Sequence, residues 1–164
     1  MGPLKDITVI EFSGIGPGPY CGMLLADLGA DVIRVSRKDV EGLENKYDIH
    51  NRSKRSITAD LKNKESVDEL LKLVAQVDVV FEGFRPGVME KLGIGPDDCL
   101  KVNPKLVYGR MTGWGQEGPM SKLAGHDINY ISLSGALNSI GRKDSNPTPP
   151  LNLIGDYGGG GMHL

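Results

Sequence analysis

Short β-branched runs alternate with helical patterns along this chain, and this alternation constrains the fold more than any other feature. The run at 7–12 is β-branched and apolar, and a turn rich in glycine and proline follows it at 13–19. A helical pattern over 20–28 ends before Gly29, and a second apolar run covers 30–36. The order of strand, helix and strand predicts a βαβ crossover, which joins parallel strands.

The same alternation continues beyond the first crossover. A polar stretch over 39–53 is predicted to be a surface loop, and strands are predicted over 56–61, 77–81 and 105–111. Between them, apolar residues at i, i+3, i+4 and i+7 predict an amphipathic helix over 67–74. Strands and helices in this order predict an α/β fold, a Rossmann-like parallel sheet flanked by helices.

Composition indicates a globular chain without a global charge signal. The 164 residues are 39% hydrophobic and 24% charged, which suits one folded domain over 1–164. A formal net charge of -2 provides no attraction to nucleic acid or an anionic membrane, and 5% aromatic residues offer few stacking platforms. We therefore expect no nucleic-acid and no membrane partner, and an anionic ligand would need a local basic cluster.

The cysteines and the absence of targeting patterns suggest a reducing compartment. Cys21 and Cys99 lack metal-type spacing, so buried thiols are favoured over a disulfide or a metal site. No secretory signal precedes the first strand, and no apolar run approaches the ~20 residues of a membrane span. We expect an intracellular protein, cytoplasmic or, in a eukaryote, mitochondrial or peroxisomal.

The first turn and the end of the second strand indicate which ligand this fold would prefer. The pattern Gly14-x-Gly16-x-x-Pro19 lacks the third glycine of a dinucleotide site, and its prolines remove backbone donors. Arg37 and Lys38 end the second strand where an NAD site carries an acidic residue, which favours a phosphorylated nucleotide such as NADP or the 3′-phospho-ADP of coenzyme A. Further basic residues lie near strand ends or in loops, at Arg52, Lys54, Arg55, Lys62, Arg85 and Lys91.

His126 and Asp156 are the candidate proton carriers. Each also has a structural interpretation, since a lone histidine is more often structural and an aspartate before a glycine run is a typical helix N-cap. If the two side chains converge, they could remove and return a proton at the carbon next to a thioester. The enolate oxygen would then need backbone donors, for which the helix starts after Gly125 and Gly155 are candidates.

Several longer segments resemble one known family. The chain is similar, almost end to end and in register, to the α-methylacyl-CoA racemases, a branch of the family III CoA-transferase superfamily. The matching segments lie at 14–19, 25–30, 34–35, 51–52, 59–62 and 85–93, and the most diagnostic ones lie at 113–116, 124–130 and 150–153 leading to Asp156.

This resemblance implies specific roles and a specific architecture. It implies that His126 is the catalytic base and Asp156 the partner acid, exchanging roles with substrate configuration. It implies that the substrate is an acyl-CoA thioester, so that no separate cofactor and no metal is needed. The implied CoA contacts are Arg37, Ala59, Asp60, Leu61, Lys62, Gly83, Phe84, Arg85, Lys91, Gly125, His126, Asp127, Ile128, Asn129 and Tyr130. The resemblance further implies that the chain is a truncated N-terminal portion of the large domain without the small domain, and that the full-length protein would form an interlocked homodimer.

Alternative functions remain open on the sequence alone. Related CoA-transferases use an aspartate near the position of Asp156 as a nucleophile, but they are not expected to carry the segment at 125–130. A second alternative is that the 164-residue chain is an inactive CoA-binding fragment, and NADP binding is a more distant one. The racemase interpretation is favoured because function follows from the site rather than from the fold.

Overall fold

The computed structural model describes residues 2–37 and 47–164 and contains one parallel sheet of five strands. Its order is β3-β2-β1-β4-β5, with β1 in the centre paired to β2 on one side and β4 on the other. The predicted α/β fold is thereby confirmed. The strands are β1 (Thr8–Phe12), β2 (Asp31–Ser36), β3 (Arg55–Thr58), β4 (Val79–Glu82) and β5 (Val107–Arg110).

Helices of three kinds connect and extend the strands. Lys38 and residues 39–46 of the predicted loop lie outside the described residues. The rest of that loop contains a short 3-10 helix. The α-helices are α1 (Pro17–Asp27), α2 (Lys64–Val74), α3 (Val88–Lys91), α4 (Pro96–Val102) and α5 (Asp127–Leu133). The 3-10 helices span Ile49–Asn51 and Ala136–Ser139, and a π-helix spans Leu153–Gly161.

The main differences from the sequence prediction are two boundaries and two short helices. α1 begins at Pro17 rather than at residue 20. Proline suits the first helical turn, because a backbone N–H there has no partner within the helix. β3 ends at Thr58, so the predicted strand residues 59–61 lie beyond the sheet. α3 and α4 were not predicted, since four and seven residues are too few to show a helical repeat of apolar positions.

The core lies on both faces of the sheet. On one face Ile10 of β1 packs with Leu70 of α2 and Cys99 of α4. On the other face Val9 of β1 packs with Ala26 of α1. Helices on both faces explain why β1 is an almost continuous apolar run rather than an alternating one.

One charged residue interrupts that run. Glu11 of β1 is fully buried, and its Oε2 lies 2.5 Å from Lys54 Nζ, which also donates a hydrogen bond to the carbonyl of Pro19 at 2.9 Å. Gly22 of α1 leaves room for the pair, because a Cβ at that position would lie 1.9 Å from Glu11 Oε2. The buried pair thus connects β1, the start of α1 and the residue before β3.

Both cysteines are buried and free, as predicted. Within residues 2–37 and 47–164, no helix combines the length and the apolar character that crossing a membrane requires.

Candidate functional site

A cleft of about 1280 Å³ opens at the carboxyl ends of β1 and β4. From β1 the chain first builds the sheet towards β2 and β3, then returns to the other side of β1 to form β4 and β5. Ligands of open α/β sheets bind in the crevice at such a switch point. Its lining includes the turn after β1 at 13–19, the turn after β4 at 83–86, the start of α5 and part of the π-helix.

The two predicted proton carriers line this same cleft. The sequence spacing alone could not show that His126 and Asp156 converge, and the fold brings them together. Seven of the implied CoA contacts line the cleft with them, namely Gly83, Phe84, Arg85, Gly125, Asp127, Ile128 and Tyr130. Their roles stay predictions.

The remaining implied contacts lie outside the cleft lining. Arg37 directly follows β2, and the Ala59 amide donates to the Ser36 carbonyl at 2.9 Å, so Arg37 and Ala59 share the carboxyl edge of the sheet with the cleft. Ala59 lines a separate groove of about 580 Å³ whose other residues include three carboxylates, which would repel phosphate groups. The others are Asp60, Leu61 and Lys62 after β3, the exposed Lys91 at the end of α3, and the exposed Asn129.

His126 precedes α5 in an extended conformation, as the N-cap residue of the predicted helix. The Asn129 side-chain oxygen accepts the His126 amide at 2.9 Å, which fixes the backbone just before the first helical turn. The imidazole itself is exposed within the cleft, where it can reach a ligand.

Asp127 joins the start of α5 to the π-helix. Its side chain is only 3% exposed, and Oδ2 accepts the amides of Gly155 at 2.5 Å and Asp156 at 2.9 Å. Asp127 Oδ1 is buried without a hydrogen-bond partner among the described residues. A Cβ at position 155 would lie 3.0 Å from Asp127 Cα, so glycine allows this close approach. One carboxylate therefore fixes the backbone on which Asp156 stands.

Asp156 is half-buried inside the π-helix, so its interpretation as an N-cap is wrong; Asn152 holds that position. Burial raises the pKa of Asp156, the Asp127 carboxylate raises it further, and His126 opposes the shift. The turn after β1 passes beside the carboxylate, since a Cβ at Gly16 would lie 3.8 Å from Asp156 Oδ2. A carboxylate with a raised pKa is a stronger base than an ordinary aspartate.

The glycine run after Asp156 allows the π-helix to pack on α1. A Cβ at Gly160 would lie 2.8 Å from Pro17 Cβ, and a Cβ at Gly161 would lie 2.6 Å from Tyr20 Cδ1. The sequence prediction recognised these glycines as a helix but missed their role in close approach.

Trp114 is a cleft residue that sequence reasoning did not include among the site residues. Its ring meets Tyr130 edge-on with centroids 4.9 Å apart, and its Nε1 donates to the Ala124 carbonyl at 3.4 Å. Gly125 passes against both rings, because its Cβ would lie 2.7 Å from Tyr130 Cε1 and 2.9 Å from Trp114 Cζ2. The segment at 113–116, one of the most diagnostic parts of the family resemblance, was the available signal. The two rings hold the segment that presents His126.

The turn that carries Arg85 is fixed by a buried carboxylate. Glu82 at the end of β4 is 3% exposed, and its Oε2 accepts the Phe84 amide at 2.6 Å. Burial raises the pKa of Glu82, and Arg110 lies 3.5 Å from its other oxygen. Arg85 itself is exposed and lines the cleft, where a cation can meet a phosphate.

The sequence pattern of CoA-transferase family III matches residues 4–164, which is nearly the whole chain. The chain belongs to CoA-transferase family III. The alpha-methylacyl-CoA racemases of Mus musculus and Homo sapiens are 53% identical over 159 residues and 48% identical over 161 residues. Each alignment covers 97% of this chain and 41% of the racemase, so the chain spans about two fifths of the length of these relatives.

The fold agrees with the family assignment. The crystal structure of Rv3272 from M. tuberculosis matches with a TM-score of 0.86 and 36% identity, over 99% of this chain and 46% of that one. In the part of this family III chain that the structure describes, His, Cys, Asp and Glu side chains form no cluster of three or more that could hold a metal ion.

Proposed function

We propose that this chain supplies the CoA-binding and proton-transfer part of an enzyme that racemises or epimerises 2-methylacyl-CoA thioesters. One observation carries the proposal: His126 and Asp156 line a single cleft at the switch point of the sheet. The similarity to racemases adds support, because both residues lie in segments that the chain shares with that family. The isomerase class, the substrate and the role of each residue are parts of this proposal.

The proposed reaction moves one proton at C2 of the acyl group. One side chain takes the proton, and the electron pair of the broken C–H bond forms a double bond between C1 and C2. The thioester oxygen then carries the negative charge of an enolate. The other side chain delivers a proton to the opposite face, the C–H bond forms again, and the carbonyl returns. His126 and Asp156 exchange the roles of base and acid when the other enantiomer enters.

The environments of the two side chains suit this exchange. Burial and Asp127 raise the pKa of Asp156, so this carboxyl holds a proton more readily than an ordinary aspartate. An imidazole is the usual side chain for carrying protons near neutral pH. A pair of groups that can each give and accept a proton supports a reversible reaction.

The structure changes the prediction about donors for the enolate oxygen. The amides of Gly155 and Asp156 donate to Asp127 Oδ2, so they do not serve the substrate. The helix start after Gly125 is also partly occupied, because the His126 amide donates to Asn129 Oδ1 and the Asp127 amide is directed to the Asp156 carboxylate. The Ile128 amide therefore stays in the proposal as the donor from this helix start to the enolate oxygen.

The lining of the cleft fits both ends of an acyl-CoA. Arg85 provides a cation for the phosphate groups, together with Arg37 at the same edge of the sheet. Ile15 and Leu151 are 81% and 80% exposed and line the cleft, as do Ile128 and Ile154. These apolar side chains would contact the branched acyl chain. We propose that residues outside this chain, including those of a second subunit, cover the open side of the cleft and remove water from it.

Solvent deuterium incorporation tests the proposed function. The protein expressed from its complete gene is incubated with one enantiomer of a 2-methylacyl-CoA in deuterated water. We expect one deuterium at C2 and progressive loss of optical purity, and we expect His126→Ala and Asp156→Asn to abolish racemisation. The matched control is His163→Ala, which removes an exposed imidazole outside the cleft lining and should keep full activity.

The same samples separate racemisation from CoA transfer. A transferase would form an acyl anhydride on Asp156 during turnover, and hydroxylamine would trap that adduct. An adduct on Asp156 without deuterium at C2 would replace the racemase proposal with the transferase. Binding of CoA with neither activity would indicate a binding module only.

A further inference from the structure

Three side chains, those of Asp48, His50 and Tyr157, are connected by hydrogen bonds beside the π-helix and outside the cleft lining. The Tyr157 hydroxyl lies 3.2 Å from His50 Nε2, and His50 Nδ1 lies 2.9 Å from Asp48 Oδ1. Asp48 is itself fixed, because it accepts the His50 amide at 2.9 Å and the Asn51 side-chain amide at 3.0 Å. The Ile49–Asn51 helix therefore holds the imidazole in one orientation towards Tyr157.

The direction of each hydrogen bond follows from the chemistry of the groups. The hydrogen bond from the His50 amide holds the pKa of Asp48 below its usual range, so Asp48 is a carboxylate at neutral pH and only accepts. In the neutral imidazole the proton then stays on Nδ1, and Nε2 is free to accept the Tyr157 hydroxyl. Each of the three side chains, Asp48, His50 and Tyr157, thus has a hydrogen-bond partner.

Ring contacts reinforce this connection. The His50 and Tyr157 rings stack with centroids 5.7 Å apart at 26°, and Tyr20 of α1 lies 4.8 Å from Tyr157. Asp156 lines the cleft, whereas the next side chain, Tyr157, packs against His50 and Tyr20. Tyr157 thus anchors the turn of the π-helix that carries Asp156.

The π-helix requires stabilisation by contacts such as those of Tyr157. π-Helices are rare and occur mostly as short features at functional sites, and this one contains a run of four glycines at 158–161. Glycine favours the unfolded chain and weakens a helix interior. Relaxation towards the α-helical hydrogen-bond pattern would rotate side chains about the helix axis and move the Asp156 carboxylate.

We propose that His50 is a positioning residue for Asp156, acting through its hydrogen bond to Tyr157. The role of Asp156 in this proposal rests on the proposed function, but the contact of His50 with Tyr157 rests on geometry alone. His50 is not among the residues that line the cleft. His50 holds the π-helix through Tyr157, whereas Asp127 of α5 holds the backbone amides of Gly155 and Asp156.

The test uses the protein expressed from its complete gene, four single variants and one double variant. His50→Ala and Tyr157→Phe each remove the hydrogen bond. His50→Gln keeps a side-chain amide near the position of Nε2, and its oxygen can accept the Tyr157 hydroxyl. This variant should therefore rescue the hydrogen bond. Tyr108→Phe is the matched control, because it also removes one tyrosine hydroxyl bond, the one to the Ile94 carbonyl at 3.2 Å, far along the chain from the π-helix.

Two measurements are made on each protein. Amide hydrogen exchange of the 152–162 segment should accelerate about fivefold in His50→Ala and Tyr157→Phe, as expected for loss of one hydrogen bond. The kcat for C2-proton exchange should fall about 10- to 100-fold with an unchanged KM, since small misplacement of a reacting group costs this much. His50→Gln and Tyr108→Phe should match the wild type in both measurements, and the double variant His50→Ala/Tyr157→Phe should be no worse than either single variant.

The two measurements decide whether His50 positions Asp156. Unchanged amide exchange in both His50→Ala and Tyr157→Phe would overturn it, as would faster amide exchange with an unchanged kcat. A wild-type protein that fails to exchange the C2 proton contradicts the proposed function instead, and the amide-exchange comparison then still decides whether His50 anchors the Asp156 turn.

Discussion

The Asp127 carboxylate accepts the backbone amide of Asp156 at 2.9 Å, so one acidic residue of the cleft fixes the position of another. The same contact raises the pKa of Asp156, in addition to the larger effect of burial. One neighbour therefore affects both the position and the proton affinity of the candidate acid. This relationship leads to the first prediction.

Asp127→Asn should shift the acid limb of the pH–rate profile to lower pH. The substitution keeps a side-chain oxygen for the two amides but removes the negative charge that raises the pKa of Asp156. With a lower pKa, Asp156 stays an active base at lower pH. The measurement is kcat/KM for C2-proton exchange against pH. An acid limb that stays in place or moves to higher pH would contradict this electrostatic coupling.

Lys54→Met should destabilise the fold by about 3–5 kcal/mol, because it leaves the buried Glu11 carboxylate without its partner. The free energy of unfolding in urea measures the loss. Glu11→Gln combined with Lys54→Met removes both charges and should recover most of the stability. If the double variant is as unstable as Lys54→Met alone, the loss comes from packing rather than from an unpaired charge.

Gly161→Ala should destabilise the fold by about 1–3 kcal/mol through overpacking, since the new Cβ would lie 2.6 Å from Tyr20 Cδ1 and 2.9 Å from the Pro17 carbonyl oxygen. Gly18→Ala is the matched control within α1, where nothing lies within 4 Å of the added carbon. Thermal unfolding of the two variants gives the comparison. Equal melting temperatures would show that the π-helix does not depend on close approach to α1.

Arg85→Ala should weaken CoA binding about tenfold, or ~1.4 kcal/mol, because a guanidinium in the cleft forms a charge-assisted contact with phosphate. Calorimetric titration with CoA measures the affinity. Lys105→Ala removes an exposed cation before β5, at the opposite edge of the sheet, and should leave the affinity unchanged. Equal weakening by both variants would indicate a general charge effect instead of a site.

Much of the fold could be predicted because its signals are local. Short apolar runs marked all five strands, and the apolar repeat of Val67, Leu70, Leu71 and Val74 marked the face of α2 that packs on the core. α3 and α4 were missed because they are too short to show an apolar repeat and their burial depends on tertiary contacts, such as that of Met89 with the core on the Ile10 face of the sheet. The start of α1 was placed late because prolines usually indicate a turn, yet they also suit a first helical turn.

The candidate site was predictable only as a set of residue types in familiar segments. Sequence spacing could not bring His126 and Asp156 into one cleft, because that depends on the path of the chain around the sheet. It also could not show that the Gly155 and Asp156 amides are occupied by Asp127. The His50–Tyr157 bond joins residues 107 positions apart and leaves no local pattern at all.

The most direct test of the proposed proton transfer compares the two enantiomers of one 2-methylacyl-CoA in deuterated water. It uses the wild-type protein, His126→Ala and Asp156→Ala, each expressed from the complete gene, and follows loss of the C2 proton. We predict that the wild type exchanges both enantiomers, and that each variant loses at least about 100-fold of the exchange rate with one enantiomer, a different one for each variant. Exchange of both enantiomers at the wild-type rate by either variant would contradict the account.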